Sequence, residues 1–195
     1  MKHSAITLSN LLLLMLIGST AGCGAGPYGF SRYYEPLKEE KPYDEKAETF
    51  TCGMVTARPQ DYIDKLIGWF GIVEKVVATK DGRHLVRLSY HPHKSRHLCE
   101  TEVSSSCRVT VHYKATGGFS VLLDLRGEDM IPGLDKVQPG TLMRVFGKVQ
   151  CQQTGRGKYQ CERDDQGDVL LKGEYYRQWP ARYYRTTRTA NRMRR

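Results

Sequence analysis

Residues 66–77, "LIGWFGIVEKVV", are long for a single β-strand and are interrupted by Gly68 and Gly71. Glycine has no Cβ, so these two positions permit the sharp coiling by which one strand serves both sides of a small barrel. The segments that follow repeat with period two. "RHLVRLSY" (83–90) sets His84, Val86, Leu88 and Tyr90 on one side and Arg83, Leu85, Arg87 and Ser89 on the other. "CRVTVHY" (107–113) opposes Cys107, Val109, Val111 and Tyr113 to Arg108, Thr110 and His112. "FSVLLDL" (119–125) follows the turn "ATGG", and "LMRVFGKVQC" (142–151) and "DVLLKGEYY" (168–176) complete the set. No segment carries a long amphipathic helix. The pattern predicts an all-β domain, a small barrel or a sandwich.

Working outward, "VQPGTLMRVFGKVQ" (137–150) places a Pro-Gly turn before a strand that contains Gly147. This resembles the fourth strand of OB-folds, where a Pro-Gly turn precedes an alternating strand with an inner glycine. With the coiled stretch at 66–77, it favours an OB-like β-barrel over residues 50–176. Residues 61–67, "DYIDKLI", fit either a short helical turn or an extended lead-in.

Upstream, "LLLLMLIGSTAGC" (11–23) is the most apolar stretch of a hydrophilic chain. The apolar run from about Ala5 to Ile17 is short of the roughly 20 residues a spanning helix needs. Lys2 and His3 precede it and small residues from Gly18 to Gly22 follow, the layout of a secretory signal. An ordinary signal cut after Ala21 and an uncleaved anchor are the alternatives. Cys23 after "STAG" resembles the lipobox of bacterial lipoproteins, although Thr20 stands where leucine is usual. The resemblance makes residues 1–22 a signal peptide and Cys23 an acylated first residue of the mature chain. Gly24, where inner-membrane lipoproteins of enteric bacteria often carry Asp, points to the outer membrane. Lipobox and barrel together resemble OB-fold outer-membrane lipoproteins of the starvation-inducible type. The likeness covers the lipobox and about residues 50–176. It implies a periplasm-facing protein and brings no catalytic residues. The cysteine-flanked insert at 91–107 departs from that pattern.

Residues 24–49 have Gly and Pro early and dense mixed charge later, so 23–49 is expected to be a flexible tether, spanning about 25–30 Å as a coil. At the other end, residues 177–195 hold seven arginines and no acid. Without the signal, residues 23–176 balance 22 basic against 21 acidic residues. Arg177, Arg182, Arg185, Arg188, Arg192, Arg194 and Arg195 therefore form a basic tail, with Tyr175, Tyr176, Trp179, Tyr183 and Tyr184 interleaved. Arginine among stacking rings suits sugars, acidic polymers or a lipid headgroup layer; a solvated tail is the plain alternative. Nucleic acid is not expected, because an exported lipoprotein meets little of it. The expected partners are the membrane through the lipid, and an envelope protein, peptidoglycan or an anionic polymer.

Five cysteines remain beyond Cys23. In an oxidising envelope they favour disulfides. Cys151 and Cys161 flank Arg156 symmetrically, so a hairpin turning at "TGRG" sets them on facing strands; Cys99 and Cys107 bracket "ETEVSSS" in the same way. Symmetry favours these two bridges among 15 pairings and leaves Cys52 buried or paired between chains. In "HPHKSRHLC", His91, His93 and His97 are ligand types for zinc or copper, but a bridge at Cys99 removes the fourth donor, and exposed loop histidines are the plainer reading. Asp164, Asp165 and Asp168 could hold calcium or simply form a turn. No G-x-S-x-G turn or phosphate loop is present. The sequence thus reads as a non-catalytic, lipid-anchored envelope protein without a cofactor, acting as a binding or scaffold module; an OB-type binder of an anionic polymer or glycan, or a metal-binding loop, are its alternatives.

Overall fold

β1 (Ile67–Ala78) pairs with different strands along its two halves. Its first half, Ile67 to Ile72, runs antiparallel to β6 (Leu142–Val149), and its second, Gly71 to Ala78, runs antiparallel to β2 (His84–Tyr90). The two glycines allow this. A Cβ on Gly71 would lie 2.8 Å from the Leu88 Cβ, and one on Gly68 would lie 2.9 Å from the Phe146 ring. The computed structural model describes residues 28–133 and 135–188, without the side chain of Arg156. Cys23, Arg192, Arg194 and Arg195 lie outside the described residues.

Three further strands precede or follow these in the chain: β3 (His93–Cys99), β4 (Cys107–His112) and β5 (Gly118–Leu123). After β6 come the short β7 (Cys151–Thr154) and β8 (Lys158–Cys161), then β9 (Val169–Trp179) and β10 (Tyr184–Thr187). A closed barrel forms in the order β1-β2-β5-β9-β6, with β6 returning to β1. Only β5 and β9 are parallel within it. Counted along the chain, that is the order 1-2-3-5-4 of an OB barrel. The expected Pro-Gly turn precedes β6, with Gly140 at φ +90°. Of two short helices, α1 (Lys41–Asp44) and α2 (Cys52–Ala57), the second is capped by Thr51 and sends Cys52 and Val55 into the barrel core.

The barrel interior is filled by Trp69, Val73, Leu88, Phe119, Met143 and Leu171 among others. A second core lies outside it, where Phe70, Leu142 and Trp179 meet Val109 and Val111 of a three-stranded sheet, β10-β4-β3. β1 is therefore apolar on both faces: Trp69 points inward and Phe70 points toward the sheet. Both expected disulfides are present. Cys99–Cys107 joins register partners of β3 and β4, and Cys151–Cys161 joins register partners of β7 and β8.

Three segments differ from expectation. The insert at 91–107 contains β3, one of the three strands of the second sheet. Residues 28–49, read from their composition as tether, pack on the barrel, so a tether can comprise only residues ahead of Tyr28. Residues 184–187, read as tail, form β10, which runs parallel to β4, and residues 181–183 make a turn of 3-10 helix before it. For residues 28–49 and β10 the partner is distant in sequence; β3 pairs with the next strand, β4.

Candidate functional site

The β6–β9 register sets Arg144 directly opposite Arg177. Like charges in that arrangement repel, and both side chains are largely buried. The counter-charge is Glu40, fully buried, at the start of α1. Its carboxylate accepts from Arg144 Nη1 at 2.8 Å and Arg177 Nη1 at 3.4 Å, from the Tyr34 hydroxyl, and from the Leu37 amide at 3.2 Å. Asp44 pairs with Arg144 Nη2. Rings enclose the cations: Arg144 lies over Tyr34, Phe70 and Phe146, and Arg177 over Trp179 and Tyr34. Burial, then the neighbouring Glu40 charge, raises the Tyr34 pKa. The arrangement locks residues 28–49 onto the barrel. Tyr34, Glu40 and Arg144 escaped the sequence reading. The one local signal was Arg144, a charge set between Met143 and Val145 in the apolar first part of β6.

Against this latch lie two of the predicted histidines. His93 stacks on Phe70 at 4.2 Å, and its ring centre is 5.7 Å from that of His97. Burial, then His97 and Arg144, pushes the His93 pKa down to about 3. Burial also lowers that of His97, whose Nδ1 donates to the Ser31 carbonyl at 2.9 Å. His91 stands apart, with Nδ1 donating to the His112 carbonyl at 2.7 Å. The three histidines are thus packed inside rather than exposed on a loop, and Cys99 is bridged. Among the described residues, no group of three or more His, Cys, Asp or Glu is gathered as a metal would need. A cavity of about 210 Å³ opens beside the latch, lined by Tyr28, Tyr33, Tyr34, His97 and Arg177 among others.

The tail arginines separate. Arg177 is 6% exposed and belongs to the latch, which separates it from the exposed tail arginines. Arg182 pairs with Asp135 at 3.5 Å, Arg185 pairs with Glu100, and Arg188 lies over the Tyr113 ring at 5.1 Å. The acids that the tail lacks locally are supplied across the fold. Tyr176 is buried in the barrel core, while Tyr175 stacks on Tyr43.

Strands 2 and 3 of an OB barrel usually form its ligand face. Here β2 and β5 carry an ion network instead. Arg87 donates to Glu74 at 3.0 Å and to Asp164 and Asp168 at 2.7 Å each, and the Ser120 hydroxyl donates to Asp164 at 2.7 Å. In the acidic loop read as a calcium candidate, Asp164 is held by Arg87 and Ser120 and Asp168 by Arg87. Cys52 is buried and unbridged, its Sγ 3.3 Å from the Gly118 carbonyl, and burial pushes its pKa up to about 11. Among the described residues no helix is long and apolar enough to cross a membrane. Comparison with known families, curated proteins and solved structures finds no match.

Proposed function

We propose that this chain is an exported, lipid-anchored protein of the cell envelope, on the periplasmic side of the outer membrane, acting as a non-catalytic binding or scaffold module. The observation that carries the reading is the apolar segment ending in small residues and Cys23. The two disulfides support it, because such bridges persist in oxidising compartments outside the cytosol. The ion network on the β2–β5 face supports binding elsewhere than the usual OB cleft. Cys23→Ala tests the anchor. The variant is expected to leave the membrane fraction or to stay as an unprocessed precursor. A processed variant that sediments with membranes as the wild type does would overturn the reading.

One observation favours a second reading, a glycan or polyol ligand. The cavity beside the latch is lined by three tyrosines, whose rings suit sugar faces, with polar His97 and Arg177 behind them. Binding of neutral oligosaccharides that persists at high salt would favour this reading.

A further inference from the structure

We propose that the outer face of the β3–β4–β10 sheet is a docking surface for an anionic phospholipid bilayer, the one in which Cys23 is anchored. The proposal rests on the lipoprotein reading above and adds the orientation of the domain.

The position of the chain ends brings this sheet to the membrane. The described chain begins at Tyr28, whose ring stacks on Tyr183 at 4.2 Å, immediately before β10. Two residues later Phe30 lies under the Arg108 guanidinium of β4, 4.3 Å from the ring centre. Cys23 is five residues upstream of Tyr28, a reach of at most about 18 Å. A lipid on Cys23 therefore holds this end of the sheet close to the headgroups.

The charge on the sheet suits that place. Val109 and Val111 face the second core, so Arg108 and His112, both half-buried, point away from it, and Thr110 between them is fully buried. Lys94 and Arg185 are both register partners of Thr110 and share its side. With Arg182 and Arg188 at the margins, five cations stand against two carboxylates, Glu100 and Asp135. Tyr33 and Tyr113, both exposed, supply the amphipathic rings that settle at headgroup depth. The β2–β5 face has the opposite character, one arginine among three carboxylates. The β7–β8 hairpin lies at the far end of β9, up to about 35 Å along the strand from Trp179.

The test uses the full chain, made in a host that exports it and mixed with vesicles of phosphatidylcholine alone or with added phosphatidylglycerol. Amine acylation is followed at Lys94 on the sheet and at Lys158 on the hairpin, and intact mass reads acylation at Cys23. Each cation near an anionic surface is worth about five-fold in partitioning. Lys94 is therefore expected to label at least about five-fold more slowly when phosphatidylglycerol is present, with Lys158 unchanged. High salt should restore labelling, as should Arg185→Gln combined with Arg188→Gln. Equal labelling of Lys94 in the two vesicles, or equal protection of Lys94 and Lys158, overturns the proposal whatever the mass at Cys23. An unacylated Cys23 with selective protection of Lys94 sinks the anchor and leaves the docking face standing.

Discussion

Glu40 holds two arginines that the β6–β9 register would otherwise set against each other. Removing one member of a buried ionic group leaves uncompensated charge, which costs about 3–5 kcal/mol. Glu40→Gln keeps the shape and deletes the charge. The expected loss is about 3 kcal/mol by urea unfolding, at the low end because Asp44 remains beside Arg144; a loss below about 1 kcal/mol, the size of one ordinary hydrogen bond, would mean the latch is not ionic. His93 makes a second prediction at this scale. Unfolded, its imidazole takes a proton near pH 6.5; folded, it does so only near about 3. Its contribution is complete above pH 6.5 and is lost as pH falls from there toward 3, by up to about 1.4 kcal/mol per pH unit. His97 shifts in the same direction. His93→Phe, which keeps a ring against Phe70, should flatten the stability profile between pH 6.5 and 5, above the range of ordinary carboxylates. An unchanged slope in the variant would show that His93 is protonated in the fold.

The elements with local signals were legible. Glycine in β1, the Pro-Gly turn before β6 and the period-two alternation of β2, β4 and β5 all lie within a few residues of what they specify. So do the two symmetric cysteine pairs. β3 was not legible, because "HKSRHLC" puts histidines where apolar residues usually face a core; His93 finds Phe70, and His97 finds Tyr34. β10 and residues 28–49 were missed because their partners are remote: Glu40 meets Arg144 across 104 residues and Arg177 across 137. A truncation series follows from β10. Deleting residues 189–195 should leave the thermal midpoint unchanged. Deleting 181–195 also strips β10 from β4 and uncovers the second core, where Tyr183 and Tyr184 pack. A loss of about 2 kcal/mol there lowers Tm by roughly 4–8 °C. Equal midpoints for the two truncations would show that β10 adds nothing to stability.

Across the whole molecule, the two cores share walls. β1 sends Trp69 into the barrel and Phe70 to the sheet, and β9 sends Tyr176 into the barrel and Trp179 to the sheet. Shared strands should make unfolding a single transition. The chain's two tryptophans report one core each. In Trp179→Phe the fluorescence follows Trp69, and in Trp69→Phe it follows Trp179. Within each variant, fluorescence and far-UV circular dichroism should share one urea midpoint. A Trp179 transition that precedes the loss of strand signal would mark the sheet as a separately melting unit.

The place of β9 also sets a timetable for folding. A chain delivered from its N-terminal end presents β1, β2, β5 and β6 while the gap between β5 and β6 is still open. The gap closes only when residues 169–179 arrive, because β9 must insert between two strands already delivered. Until then both walls of that gap present unpaired backbone, the condition that invites association between chains. Closure at the very end of delivery, across long sequence separations, makes folding slow for the size of the domain. A chaperone that holds unpaired strands would have its longest engagement with the two that flank that gap.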